Sequence, residues 1–228
     1  MTAKEYFGDW MKVIDRKELF RIIQWLKTTN PDNLCPHPHN VFKAFRLCSY
    51  SDCKVVILGM DPYPQKGVAQ GILFANSADT PEEQLSPSLK VIKEAIINYE
   101  IPHNVIEFDN TLESVAKQGV LLINSALTCE VGRTGVHFNI WRPFISKLLH
   151  NMSEINSSVV YVLLGNQAQS FKDCLVGEQH IIMDYHPAYY ARRGEKMPYS
   201  TFSDINKILK DMYEKGIEFY KETEYGTC

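Results

Sequence analysis

Four short apolar runs each end in a polar side chain with chemical potential. Lys54–Gly59 is followed by Asp61, Val120–Asn124 ends on Asn124, Ser158–Gly165 runs into Asn166 and Gln167, and Gln179–Tyr185 is followed by His186. Ligands of open parallel sheets bind beyond the carboxyl ends of the strands. A carboxylate, an amide and an imidazole delivered to one such rim have the composition of a site rather than of a core. Asp61 lies in GMDPYP, Gly59–Pro64. Pro62 keeps the residue before it out of the helical region, so Asp61 is held extended, and both prolines stiffen the turn. A carboxylate on a rigid turn suits general-base or electrostatic work, where geometry must be set in advance. Asn124 offers an acceptor and two donors side by side, a match for a pyrimidine edge with its N3–H and O4, although it would equally cap the following turn. A lone histidine such as His186 is more often structural than catalytic, and Phe74 reads more readily as core than as a stacking surface. Beyond His186, the residues Tyr189, Tyr190, Arg192, Arg193 and Lys196 mix aromatics with positive charge. That mixture suits nucleic-acid bases and backbone; an ordinary solvated loop, with Glu195 offsetting part of the charge, has the same composition.

The four runs do not alternate, as expected of strands buried on both faces. Helix-period segments separate them at Ser88–Tyr99, Thr111–Lys117, Ile140–Asn151 and Asn166–Leu175, with two more at Arg16–Thr28 and Thr201–Glu214. Strands alternating with helices predict an α/β fold: a parallel sheet covered on both faces and connected by right-handed crossovers. Three connections are long: Met60–Pro87, Ser125–Asn139 and His186–Ser200. Long loops inside a compact domain usually carry function.

Composition narrows the classes. Of 228 residues, 45% are hydrophobic, enough apolar surface to exclude disorder. Lys and Arg total 24 against 27 Asp and Glu, a formal net charge of −3. Any nucleic-acid binding must therefore rest on a local patch rather than on bulk charge. No apolar run approaches the roughly 20 residues that span a bilayer, and the first residues read as ordinary chain, with no signal peptide. Six cysteines, with no CxxC pair, read mostly as small buried hydrophobes in a reducing compartment. CPHPH at Cys35–His39 reads as an extended loop rather than a metal site, because no second ligand pair follows at finger spacing. The length suits one domain across residues 1–228.

Taken together, these motifs resemble those of the uracil-DNA glycosylases of family 1. GMDPYP stands where that family has GQDPYH, and Gly71 and Phe74 match its following glycine and phenylalanine. LLINSALT (Leu121–Thr128) matches its strand ending in asparagine, Gly165-Asn166 its Gly-Ser turn, and HPAYY (His186–Tyr190) its HPSPL motif. Phe202-Ser203 falls at the expected distance, and Pro87-Ser88-Leu89 matches the end of its proline-rich loop. The similarity runs from about Lys54 to Leu209, and the first motif and the HPxxx motif together, in order, are specific. It implies a single domain with a four-stranded parallel sheet in the order 2-1-3-4, flanked by helices. It implies hydrolysis of the N-glycosidic bond of deoxyuridine in DNA, after the nucleotide has flipped out of the helix, with neither metal nor cofactor. Asp61 would position water and stabilise positive charge at C1′, and His186 would hydrogen-bond uracil O2. Asn124 would read the uracil edge, Phe74 would stack on the ring, Tyr63 would exclude a thymine methyl, and Met60 would contribute through its backbone. Pro87, Ser88, Gly165 and Asn166 would grip phosphates, Tyr190 would take the place of the wedge leucine, and Arg192 and Arg193 would add DNA contacts. The implied partners are uracil-containing DNA, single- or double-stranded, and a proteinaceous inhibitor. The implied state is a monomer in the cytoplasm, or in the nucleus of a eukaryotic or virus-infected cell. Met60, Pro64 and Asn166 depart from the family pattern. A non-catalytic relative serving as a DNA-binding or replication scaffold is the main alternative, but it would have no need of Asp61, Asn124, His186, Tyr63 and Phe74 together. A small-molecule hydrolase would leave the basic, aromatic final loop unexplained, and the chain has no nucleophile elbow.

Overall fold

A computed structural model describes residues 2–97 and 105–223. Four parallel strands form the central sheet: β1 (Val55–Gly59), β2 (Val120–Asn124), β3 (Val160–Leu164) and β4 (His180–Asp184). Their order is β2-β1-β3-β4, the expected 2-1-3-4. Every residue of the first three strands is buried, whereas the edge strand β4 is half-exposed, with Met183 49% accessible. The missing alternation in the runs has a direct cause: each strand feeds two cores. Val56, Leu58, Leu121, Ile123 and Tyr161 face one layer, and Val55, Ile57, Leu122 and Val162 face the other. Burying each such side chain is worth roughly 1.5–3 kcal/mol.

The longer helices are α1 (Arg16–Thr28), α2 (Pro87–Ile97), α3 (Phe138–Ile155), α4 (Pro187–Arg193) and α5 (Ser200–Tyr213). α1 has the expected bounds because Asp15 caps it, accepting the backbone N–H groups of Lys17 and Glu18. The end of the helix expected to reach Tyr99 lies outside the described residues. Thr111–Lys117 yields only a single turn, Glu113–Ala116, and Asn166–Leu175 breaks into Asn166–Gln169 and a 3-10 turn, Lys172–Cys174. The segment expected as the loop His186–Ser200 is helical in its first half. His186 caps α4, Pro187 supplies a preset first residue, and Gly194 ends the helix at φ +65°.

Two antiparallel bridges complete the frame, Leu34–Cys35 with Cys129–Glu130 and Val105–Glu107 with Lys221–Thr223. Cys35, Cys48, Cys53 and Cys129 are buried free thiols. Among the described residues, no helix is long and apolar enough to cross a membrane, and no three His, Cys, Asp or Glu side chains are grouped to hold a metal ion.

Candidate active site

Register places the site. Gly59 at the end of β1 lies level with Asn124 at the end of β2. The turn carrying Asp61 and the amide of Asn124 therefore leave the sheet at the same rim. The Asp61 turn is then fastened to the connection after β2. The carbonyls of Met60, Pro62 and Pro64 accept from the Ala126 N–H (3.0 Å), the Cys129 thiol (3.3 Å) and the Gly132 N–H (2.9 Å). The Cys35 thiol adds a contact to the Pro64 carbonyl at 3.6 Å. Alternate carbonyls of a proline-stiffened turn are thus held along its length, so Asp61 has little freedom to move.

Beyond this rim lies a cavity of about 150 Å³, lined by Asp61, Tyr63, Phe74, Ser88, Asn124 and His186 among others. An apolar cavity of about 150 Å³ holds a single six-membered ring. The Asp61 Oδ2 accepts the Gly135 N–H at 2.5 Å. Burial raises the Asp61 pKa above its ordinary 3.8, and the Gly135 bond partly offsets this. Asn124 is buried, and its Oδ1 has no hydrogen-bond partner among the described residues. A buried, unmade acceptor costs about 1–3 kcal/mol; Asn110, Tyr161 and Gln179 carry such oxygens too, and of the four residues Asn124 is the one on the cavity wall. Gly59 lets Leu73 and Asn124 pack close on the strand end: a Cβ there would lie 2.4 Å from Leu73 Cδ1 and 3.0 Å from Asn124 Oδ1.

His186 Nδ1 accepts the Ala188 N–H at 3.2 Å, so the neutral ring carries its proton on Nε2. Burial, with a smaller effect from the nearby Arg192 charge, pulls the His186 pKa down to about 4. At neutral pH it is a neutral donor beside the cavity. The Phe74 ring meets His186 edge-on at 5.4 Å, and Phe74 sits at φ +62°. A non-glycine residue there stores about 1–3 kcal/mol of strain. The Tyr63 hydroxyl bonds the Phe74 carbonyl at 2.9 Å and so helps hold that conformation. Burial raises the Tyr63 pKa, keeping it a neutral donor. One chain thus brings together a desolvated carboxylate, an unpaired amide, a neutral imidazole and two rings.

Several residues lie elsewhere than expected. Met60 does not line the cavity; its carbonyl is engaged by Ala126, and its Cε lies 3.7 Å from where a Cβ on Gly135 would sit. Gly165 cannot grip a phosphate with its N–H, which donates to the Asp184 carbonyl at 2.8 Å. Its lack of a side chain instead makes room for His186, since a Cβ would come within 2.8 Å of the His186 Cβ. Tyr190 does not project as a wedge. It is 7% exposed, packs into the core, and donates its hydroxyl to Asp184 Oδ1 at 2.6 Å. The cause is the helical start at Pro187: Pro187 and Tyr190, three residues apart, share the inner face of α4. Pro87, Asn166, Arg192 and Arg193 are exposed, and Ser88 is buried against the cavity. Arg193 is paired with Glu195 at 2.6 Å.

Sequence reasoning missed Gly135, whose N–H binds the Asp61 carboxylate, and Asp184, which gathers the Tyr190 and Thr201 hydroxyls. The paired glycines in VGRTG, Val131–Gly135, were the available signal for the first, since both take positive φ. Nothing local in the sequence points to the second.

The family model described as "Uracil DNA glycosylase superfamily" matches residues 45–210. A uracil-DNA glycosylase of Borrelia turicatae is 33% identical over 208 residues, covering 87% of this chain and 89% of the relative. One from Fusobacterium nucleatum is 31% identical over 228 residues, covering 95% and 97%. In structure, the chain is similar to a mimivirus uracil-DNA glycosylase with a TM-score of 0.71 at 22% identity, covering 96% of this chain and 93% of that one. A variant of the mimivirus protein, solved in complex with UGI, gives 0.69 at 21% identity, covering 96% and 94%. The structural likeness speaks for the fold, and the sequence matches across most of the chain show the family: this chain belongs to the uracil DNA glycosylase superfamily.

Proposed function

We propose that this chain is a DNA repair glycosylase that hydrolyses the N-glycosidic bond of deoxyuridine in DNA, releasing uracil and leaving an abasic site. The observation that carries the reading is a cavity of single-ring size with Asp61, Asn124 and His186 together on its wall. The target nucleotide must leave the stack to enter, at an unpairing cost of a few kcal/mol. Inside, Asn124 accepts N3–H and donates to O4, Phe74 supports the ring, and Tyr63 occupies the space beside C5. The C1′–N1 bond breaks with its electron pair on the departing uracil. The neutral His186 donates Nε2–H to O2, where that negative charge gathers, and a donor aimed at developing charge in a water-poor site is worth several kcal/mol. Asp61 stabilises the positive charge at C1′ and takes the proton of the water whose oxygen forms the new bond.

The substrate reading extends to single- and double-stranded DNA, approached through the exposed Arg192 and Arg193 on α4. The chain acts as a monomer in this reading, and an inhibitor protein of the kind seen with the mimivirus relative would compete with DNA. Free-base release from an oligonucleotide with one deoxyuridine tests the proposal. Uracil should appear, while matched thymidine and deoxycytidine oligonucleotides yield no base. A folded wild-type chain that releases no uracil would overturn it.

A further inference from the structure

Beside the cavity, at the junction of β4 and α4, three tyrosines form a built cluster. Tyr185 is 56% exposed, and its ring stacks on Tyr189 with centroids 4.4 Å apart and planes within 17°. The buried Tyr190 stands edge-on beneath both, at 6.2 Å and 5.5 Å. Tyr190 is anchored by its bond to Asp184, which also accepts the Tyr185 N–H at 2.7 Å and the Thr201 hydroxyl at 2.5 Å. The Arg193 guanidinium lies 5.3 Å from the Tyr189 ring centre. The backbone links this cluster to the site: Tyr185 directly precedes His186, and the Tyr189 N–H donates to the His186 carbonyl at 2.7 Å.

Such a stack is not explained by the protein's own packing, since its outer ring faces solvent. A flat, pre-ordered aromatic face with cations on the following helical turn matches a nucleobase joined to phosphates. A duplex base next to the flipped one is still held in the helix by its pairing partner and its other neighbour, whereas an unpaired base is free to turn onto the ring. We propose that the open face of Tyr185 seats an unpaired nucleobase neighbouring the one in the cavity, so that this surface grips single-stranded DNA, with Arg192 and Arg193 meeting its phosphates. The inference rests on reading the cavity as the uracil site, and it adds a base-stacking seat on Tyr185 which that reading does not contain.

The test uses the full chain and a uracil-free single-stranded oligonucleotide carrying 2-aminopurine, whose fluorescence is quenched on stacking. Wild type should quench it. Tyr185→Ala should abolish the quench and weaken single-strand binding about 5- to 150-fold, the equivalent of roughly 1–3 kcal/mol per stacked base. Tyr185→Phe, which keeps the ring, should stay within about twofold of wild type. On uracil-containing substrates, kcat/KM for Tyr185→Ala should fall by the same ratio on single strands and by less than about twofold on duplex. Three results would each overturn the proposal: unchanged single-strand binding by Tyr185→Ala, equal losses for Tyr185→Phe and Tyr185→Ala, or equal losses on single strands and duplex. Because the binding arm contains no uracil, it decides the stacking seat even if wild type releases no base, a result that would fall on the cavity reading alone.

Discussion

Asp61→Asn separates the charge of Asp61 from its geometry. Asparagine is nearly isosteric, and its amide oxygen can still accept the Gly135 N–H that Asp61 Oδ2 receives at 2.5 Å. The turn should keep its shape, because its alternate carbonyls are held by Ala126, Cys129 and Gly132 independently of the side chain. What disappears is the negative charge facing a sugar that becomes positive at the transition state, together with the carboxylate that takes the water's proton. At about 4 Å and an effective dielectric of about 20, that interaction is worth about 4 kcal/mol. At 1.36 kcal/mol per decade this is roughly a thousandfold loss in rate. The ground state should lose little, so binding to uracil-containing DNA should stay near wild type. Stability should hold or rise, because burial already disfavours the ionised carboxylate, as its raised pKa records. Single-turnover release of uracil, with thermal unfolding measured alongside, gives both numbers. A folded Asp61→Asn protein keeping more than about a tenth of the wild-type rate would refute electrostatic stabilisation by Asp61, since the charge would then be worth less than about 1.4 kcal/mol.

Three further outcomes follow from the geometry. Tyr63→Ala should open the space beside C5 and allow slow release of thymine, whereas Tyr63→Phe should keep thymine out but loosen Phe74 by removing the 2.9 Å bond to its carbonyl, read as a raised KM for uracil substrates. The rate should fall as pH drops into the acid range, because Asp61, with its pKa raised above 3.8, takes up a proton there, and His186, with a pKa pulled down to about 4, gains one as well. A pH profile of kcat/KM checks this, and an acid limb centred near 6.5 would assign the essential ionisation to an ordinary histidine instead. Tyr190→Phe should lower stability by about 1.5 kcal/mol, the loss of a hydrogen bond to a charged acceptor; equal changes in uracil release from single- and double-stranded substrates fit its buried position, and a loss confined to duplex would restore a wedge.

The sequence alone carried the sheet, its strand order through the resemblance, and the residues at its rim. Those are legible because a strand buried on both faces must be an uninterrupted apolar run, and because Pro62 restricts Asp61 locally. Edge effects were less legible. Nothing in Gln179–Tyr185 shows that β4 is outermost and half-exposed, since that depends on which strands pair with it. The start of α4 rested on capping by His186 and Pro187, local chemistry that was present in the sequence but competed with a loop reading. From that start came the burial of Tyr190, expected as the wedge, beneath the exposed Tyr185.

Only the tertiary structure decided the electrostatics. The Asp61 pKa depends on burial and on Gly135, which lies 74 residues away in the chain, and the His186 tautomer depends on a backbone bond made once α4 forms. The empty acceptor on Asn124 is likewise a property of what surrounds it, not of asparagine. Residue type and local backbone preference are written along the chain, whereas desolvation and hydrogen-bond pairing exist only between segments that the fold brings together.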